Sequence, residues 1–212
     1  MATIDMFQMP KDLFYSKAHT WVRVEDGCAR IGFDDFFQKL AGGIVYIELP
    51  SVGETIRQME PIAIVSSTNQ QANRAFIGPP KEFRFDFPTL RNLAIRGGYC
   101  HCALGERCPC PRYRKANECP CQNYIPLNYL VAPISGVIRE VNTALKENPW
   151  NVNMDPYGEG WILMVEPTDL EGELKQLVTS DALSDWLRKE IDAKGDLVKG
   201  FKQQWDEVSS KI

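Results

Sequence analysis

The sequence has few histidines, no long hydrophobic run and no catalytic motif. Only His19 and His101 are histidines among its 212 residues. No stretch approaches the roughly 18 apolar residues of a membrane helix, and residues 1–10 lack the basic and then apolar order of a secretory signal. We also find no nucleophile and base pair, no phosphate-binding loop and no metalloprotease motif. The sequence therefore predicts a cytoplasmic protein without a membrane segment.

Cysteine, by contrast, is concentrated in one short stretch. Six of the seven cysteines lie between residues 100 and 121 and form three Cys-x-Cys pairs. In a reducing compartment, clustered cysteines favour metal binding or redox chemistry over structural disulfides. We therefore predict a metal site made from Cys100, Cys102, Cys108, Cys110, Cys119 and Cys121. The isolated Cys28 is predicted to be a small packed residue.

The number of thiols bears on which metal is bound. A structural zinc ion takes four ligands, usually from Cys-x2-Cys pairs, and Cys-x-Cys is a tighter spacing than that. Four thiolates also suffice for a [4Fe–4S] cluster, which would leave two cysteines as a redox pair. We predict an iron–sulfur cluster with zinc as the alternative, and Cys102 and Cys121 as candidate catalytic redox thiols. Which four cysteines bind the metal stays open.

The charge pattern separates the cysteine-rich segment from the rest of the chain. Residues 70–128 carry nine lysines and arginines against four acidic residues, whereas the remainder has a net charge of −9. The segment also holds seven of the fourteen prolines. It therefore has the character of an insertion with its own composition.

The basic residues of this segment allow two kinds of partner. Arg107, Arg112 and Arg114, with tyrosines among them, would suit a nucleic-acid surface. However, positive charge is also expected beside an anionic thiolate centre, where it would attract an acidic electron donor. Because the whole chain is acidic, with a net charge of −4, we predict a protein redox partner rather than a nucleic acid.

Outside the insertion the pattern is mainly that of short strands. Runs of β-branched and apolar residues are separated by glycine and proline turns. The predicted strands are residues 21–24, 29–32, 44–49, 62–65, 130–132, 137–141 and 161–165. Helical periodicity predicts a short helix over 34–40 capped by Asp34 and Asp35, a helix over 181–191, and a terminal amphipathic helix over 191–212. The helix over 181–191 would have one apolar face, formed by Leu183, Trp186, Leu187 and Ile191.

The flanks contain four distinctive strings, which are YSKAHTWV from Tyr15, GIVYIELP from Gly43, APISG from Ala132, and VNMDPYGEGW from Val152. In these strings the chain resembles the H-protein of the glycine cleavage system, a lipoyl carrier. The resemblance implies a mainly β fold, the barrel-sandwich hybrid, with C-terminal helices and a hairpin that presents a lysine for lipoylation. The predicted fold class is this hybrid with an irregular Cys-rich metal-binding insertion.

The lysine that the family lipoylates is absent. The family's hairpin reads approximately Glu-Ser-x-Lys-Ala, and the corresponding stretch here is SSTNQ from Ser66, which puts Asn69 at the lysine position. Lipoylation needs a primary amine, which an amide side chain does not supply. We therefore predict no bound lipoate at this position. Lys81 is the next lysine downstream, and it lacks the context of the family's site.

The insertion begins where the lipoyl lysine would stand. We predict an H-protein-like domain from residues 1–69 and 129–190, a Cys-rich insertion at 70–128 and a terminal helix at 191–212. The Cys-Pro-Cys and Cys-His-Cys triplets of the insertion also resemble those of the ferredoxin-thioredoxin reductase catalytic subunit. This second resemblance is weaker, and the order of the triplets differs. The predicted function is electron transfer or thiol–disulfide exchange with a partner. The alternatives are a zinc-stabilised interaction adaptor and a glycine cleavage carrier with an atypical attachment site.

Overall fold

In a computed structural model of the protein, residues 2–67 and 127–209 are described. All of them belong to one unit, Met1–Gly78 with Leu127–Ile212, and a second unit comprises Pro79–Pro126. The predicted Cys-rich insertion therefore lies outside the described residues, apart from its last two positions. The domain boundaries stay a prediction.

The described residues form eleven strands and several short helices. The strands are β1 (Ala2–Ile4), β2 (Phe7–Met9), β3 (Phe14–Tyr15), β4 (Thr20–Glu25), β5 (Cys28–Phe33), β6 (Ile44–Glu48), β7 (Thr55–Ile56), β8 (Pro61–Ser67), β9 (Leu127–Val131), β10 (Gly136–Val141) and β11 (Leu163–Pro167). The helices are α1 (Asp35–Ala41), a 3-10 helix (Thr143–Lys146), α2 (Asn151–Met154), α3 (Leu170–Leu174), α4 (Ser180–Ala193) and α5 (Gly195–Ser209).

The strands form three antiparallel sheets. The largest has the order β3-β4-β5-β11-β10-β7, the second has the order β6-β8-β9, and β1 and β2 form a small hairpin. The larger sheet joins N-terminal and C-terminal strands, since β5 pairs with β11 through Ile31 and Leu163. The fold is therefore mainly β with C-terminal helices, as the sequence predicts.

The two larger sheets share one hydrophobic core. Trp21 and Val165 from the larger sheet lie in the same buried cluster as Val65 and Leu130 from the smaller one. Each of these four side chains has no exposed surface. Burying a side chain of this kind stabilises the folded state by about 1.5–3 kcal/mol. The shared core explains why strands far apart in sequence hold one arrangement.

The start of α1 follows the predicted capping by Asp34, and Asp35 is the first residue of the helix. Asp34 precedes α1, and its Oδ1 accepts a hydrogen bond of 2.7 Å from the backbone N–H of Phe37. This bond satisfies one of the amide groups that the first turn of a helix leaves free. In α4 the side chains of Leu183 and Leu187 are buried, which confirms the predicted apolar face.

Several boundaries differ from the sequence prediction. Residues 191–193 belong to α4, and the last helix begins at Gly195 after a non-helical Lys194. The strand predicted from Trp161 begins at Leu163, and the Trp161 carbonyl before it accepts a hydrogen bond from the Asn142 side chain. The β1–β2 hairpin was not predicted, since strands of three residues are too short to show a reliable alternation.

None of the helices in the described parts of the chain has both the length and the apolar character needed to cross a membrane.

Candidate functional site

The predicted insertion lies between two strands that pair directly with each other. Strands β8 and β9 are antiparallel neighbours, and their last pair joins Ser66 to Leu127. The chain therefore leaves the scaffold at the end of β8 and returns beside the same point at the start of β9. This geometry is that of a hairpin whose connection contains residues 68–126. We call this end of the β6-β8-β9 sheet the hairpin end.

The residues predicted from the sequence as the site all lie in this connection. Asn69 lies outside the described residues, and so do the six predicted metal ligands: Cys100, Cys102, Cys108, Cys110, Cys119 and Cys121. Two of these cysteines, Cys102 and Cys121, are also the predicted redox thiols, so that prediction lies outside the described residues as well. Among residues 2–67 and 127–209, no group of three or more His, Cys, Asp and Glu side chains could hold a metal ion. Cys28 is a free thiol at the start of β5 and is partly buried.

A hydrogen-bond network around Asn153 frames the hairpin end. Ile44, the first residue of β6, pairs with Ser67, the last residue of β8. The side-chain Oδ1 of Asn153 in α2 accepts a 2.8 Å bond from the Ile44 N–H, and its Nδ2 donates to the Gly42 carbonyl at 2.9 Å and to Gln38 Oε1 at 3.0 Å. One side chain thus joins α2, the end of α1 and the start of β6. The role of Asn153 was not identified from the sequence.

A second network, centred on His19, attaches the C-terminal helices to the scaffold. The ring of His19 is only 2% exposed, and its two nitrogens each face a carboxylate. Nδ1 donates to Asp34 Oδ2 at 2.9 Å, and Nε2 donates to Glu190 Oε2 at 3.3 Å. Both nitrogens donate at once only when the ring is protonated. The geometry therefore fits an imidazolium ion between the cap of α1 and the side of α4.

Aromatic and charged neighbours complete this network. The His19 ring packs against Phe36 and Trp186, with ring centroids 4.8 and 5.2 Å away. Lys194, which follows α4, forms a salt bridge with Glu190. These contacts give His19 a structural role between α1 and α4. Its partner Glu190 was not identified from the sequence.

The network shifts the pKa values of both partners. Burial alone would lower the pKa of His19, but the charge of Asp34 and the hydrogen bonds to Asp34 and Glu190 outweigh it and raise the pKa above 6.5. The hydrogen bond from His19 is the largest influence on Glu190 and, against the opposing effect of burial, lowers its pKa from 4.5 to about 2. The charged forms of both groups are thus favoured in the folded state.

These shifts predict a pH window of greatest stability. The contribution of His19 is fully present below pH 6.5 and is lost as the pH rises through its raised pKa. The contribution of Glu190 is present above pH 4.5 and is lost as the pH falls toward 2. We expect these two groups to contribute most to the free energy of unfolding between about pH 4.5 and 6.5, as measured by urea unfolding across a pH series.

A His19→Gln variant is the control for the alkaline side of this window. Glutamine carries no charge at any of these pH values, so the variant should lose less stability than the parent above pH 6.5. If parent and variant instead change in parallel above that pH, His19 is not the group responsible.

Comparisons with known proteins agree with a scaffold that is interrupted between β8 and β9. The model of the glycine cleavage H-protein family matches residues 13–74 and 127–190, and therefore omits most of the connection between β8 and β9. The glycine cleavage system H protein of Bacillus velezensis is 31% identical over 181 residues, which cover 85% of this chain and 98% of that protein. The corresponding protein of Geobacillus thermodenitrificans is 33% identical over 172 residues, which cover 81% and 91%.

A solved structure supports the same fold. The crystal structure of a glycine cleavage system H protein from Mycobacterium marinum has a TM-score of 0.50 and 22% sequence identity, and the match covers 88% of this chain and 99% of that one. At this identity the likeness concerns the fold alone. The family match covers more than half of the chain, and relatives above 30% identity cover most of it. The chain belongs to the glycine cleavage H-protein family.

Proposed function

We propose that the protein is an H-protein-type carrier that holds a thiolate-ligated centre, an iron–sulfur cluster, where its relatives' family places a lipoyl group. The observation that carries this proposal is the position of the connection 68–126. It joins two directly paired strands, and it contains both Asn69 and the six clustered cysteines. The thiolate-ligated centre of this chain would thus be held on the same hairpin that carries the lipoyl group in the family.

The donor set fits such a centre chemically. Thiolates are the ligands of iron–sulfur clusters, and the six cysteines exceed the four that one cluster or one zinc ion needs. A bound cluster supplies electron transfer. The described residues would support this role from outside the connection, because Asn153 holds α2 against the start of β6, beside the end of β8.

The domain division follows from the same proposal. Residues 1–69 and 129–190 form the carrier scaffold, 70–128 form the metal-binding insertion, and 191–212 are the C-terminal part. The scaffold presents the centre and a separate redox protein exchanges electrons or thiols with it, so catalysis would belong to the insertion, with Cys102 and Cys121 as its thiols, or to the partner.

A second candidate function is a lipoyl carrier with an atypical attachment site. The comparisons support this candidate more directly than the first, because the relatives described above are all named glycine cleavage system H proteins. Within the sequence, Asn69 argues against attachment at the family position, and Lys81 is the nearest lysine beyond it.

Anaerobic purification followed by metal analysis and a visible spectrum tests the first proposal. We expect a brown protein with about four irons per chain. A variant in which Cys108, Cys110, Cys119 and Cys121 are all changed to serine keeps only two clustered thiols and should lose the iron and the colour. Cys28→Ser is the matched control, because Cys28 lies in β5, and it should keep both.

The other outcomes identify the alternatives. A colourless parent protein with stoichiometric zinc would replace the redox proposal with a zinc-stabilised interaction adaptor. A metal-free protein whose mass includes one lipoyl group would support the atypical carrier.

A further inference from the structure

Two large apolar side chains stand exposed at one short helix. Trp150 is 53% exposed and Met154 is 79% exposed. Trp150 has helical dihedral angles and caps α2, and Met154 is the last residue of that helix. Residues four apart on a helix lie on the same side of it. The two side chains therefore form one apolar surface, which we call the Trp150–Met154 pair.

Helix α2, which bears this pair, is held in place by one buried residue and one hydrogen-bonded residue. Val152, between the two residues, is fully buried, and Asn153 makes the hydrogen bonds to Gln38, Gly42 and Ile44 described above. The Met154 N–H also donates to the Trp150 carbonyl at 3.0 Å. A surface that is already held in place loses little entropy when a partner binds. Exposed aromatic and Met side chains on such a surface are typical of protein interfaces.

The pair lies at the hairpin end of the smaller sheet. Asn153 binds the N–H of Ile44, and Ile44 pairs with Ser67, the residue after which the connection 68–126 begins. Two other exposed apolar residues, Val52 and Met59, lie beyond the opposite ends of the strands, since Val52 follows β6 and Met59 precedes β8. A protein that approaches the hairpin end of the described scaffold would therefore meet the Trp150–Met154 pair and not these two residues.

The charges near the pair indicate the chemistry of its partner. Glu147, Asp155 and Glu159 are exposed acidic residues in the segment that contains α2. Between residues 143 and 161, Lys146 is the only basic residue. An apolar surface with an acidic surround matches an apolar pocket with lysine and arginine at its rim. This basic rim would be a different part of the partner from the acidic face that the basic residues of the segment 70–128 would attract.

We propose that the Trp150–Met154 pair is the docking contact for the redox protein that reaches the centre carried by residues 68–126, and that this protein binds it with an apolar pocket rimmed by basic residues. The inference rests on the proposed function for the identity of its partner. The location of the docking surface rests on three observations: the pair is exposed, the helix that bears it is held in place, and it lies at the hairpin end.

Site-specific crosslinking followed by affinity measurement tests the proposal. The photo-crosslinking amino acid p-benzoylphenylalanine is placed at position 150, or at position 52 as a control, in the native cell. The protein captured at position 150 is identified and purified, and its affinity for the carrier is measured by calorimetry. We expect the Trp150→Ala, Met154→Ala double variant to bind at least about tenfold more weakly, the loss typical of a removed interface hot spot.

The Val52→Ala, Met59→Ala double variant is the matched control, since these residues are 60% and 51% exposed. It should bind within about twofold of the parent, and binding of the parent should weaken with added salt because opposite charges contribute. Thermal melting of both variants shows whether either substitution affects folding.

Three results would overturn the proposal: equal binding by the parent and the Trp150→Ala, Met154→Ala variant, no more crosslinking at position 150 than at position 52, or capture of only a second copy of this chain. Iron content is measured on the same samples. A protein that lacks iron but still loses affinity through the Trp150–Met154 pair would remove the iron–sulfur proposal and keep the docking surface.

Discussion

Replacing His19 with alanine is expected to lower the free energy of unfolding by about 3–5 kcal/mol, the cost typical of removing one member of a buried ion pair. The ring is 2% exposed and its two nitrogens are bonded to Asp34 and Glu190. Without it, the buried Asp34 carboxylate loses its charged partner, and alanine leaves a gap between Phe36 and Trp186. Equilibrium urea unfolding at pH 6 measures the loss, since His19 is charged there.

Arg188→Ala provides the control for this substitution. Arg188 lies on the same helix, α4, and forms an ion pair of 3.8 Å with Asp185, but both side chains are well exposed. Exposed pairs of this kind contribute about 0–1 kcal/mol. The expected result is a large loss for His19→Ala and a small one for Arg188→Ala. Similar losses for the two variants would show that the His19 network does not hold α4 on the scaffold.

The loss of stability caused by His19→Ala should be concentrated in the C-terminal helices. Helix α4 reaches His19 through Glu190 and Trp186, and Lys194 connects the end of α4 to Glu190. Amide hydrogen exchange in His19→Ala should therefore rise first in α4 and α5, while the strands of the shared core stay protected. Uniform exchange throughout the described residues would point instead to a general loss of stability.

Local features of the fold were predictable because they depend on neighbouring residues. The cap of α1 by Asp34 and the buried face of α4 at Leu183 and Leu187 both follow from short-range patterns, and the structure shows both. Strand positions were also close to those observed, because turns rich in glycine and proline mark their ends.

The two networks could not be found in this way. His19 and Glu190 are 171 residues apart in the chain, and Asn153 is 109 residues from Ile44. Only the fold brings these residues together, and in the sequence neither Asn153 nor Glu190 differs from a solvated asparagine or glutamate. The family resemblance predicted the scaffold and the hairpin, but it does not predict which long-range contacts hold α2 and α4.

The departure from the family at the hairpin was visible in the sequence for a chemical reason. A lysine amine has no substitute in forming a lipoyl amide, so its replacement by Asn69 changes what the position can do. The pairing of β8 with β9 then shows that the residues on either side of the connection still form neighbouring strands. The scaffold is thus retained on both sides of the altered stretch.

Incubation with lipoate ligase, ATP and lipoate is expected to leave the mass of the parent protein unchanged. Attachment requires a primary amine at the family's position, and Asn69 stands there. The Asn69→Lys variant restores the amine between the same two paired strands, and we expect it to gain the mass of one lipoyl group. Because the variant differs at one side chain, it serves as the matched control for the enzyme and the substrate.

Intact-mass spectrometry with peptide mapping distinguishes the outcomes. A gain in mass by the parent, mapped to Lys81 or another lysine, would contradict the prediction and establish the atypical carrier. An unmodified parent with a modified Asn69→Lys variant would show that one side chain separates this chain from lipoylation.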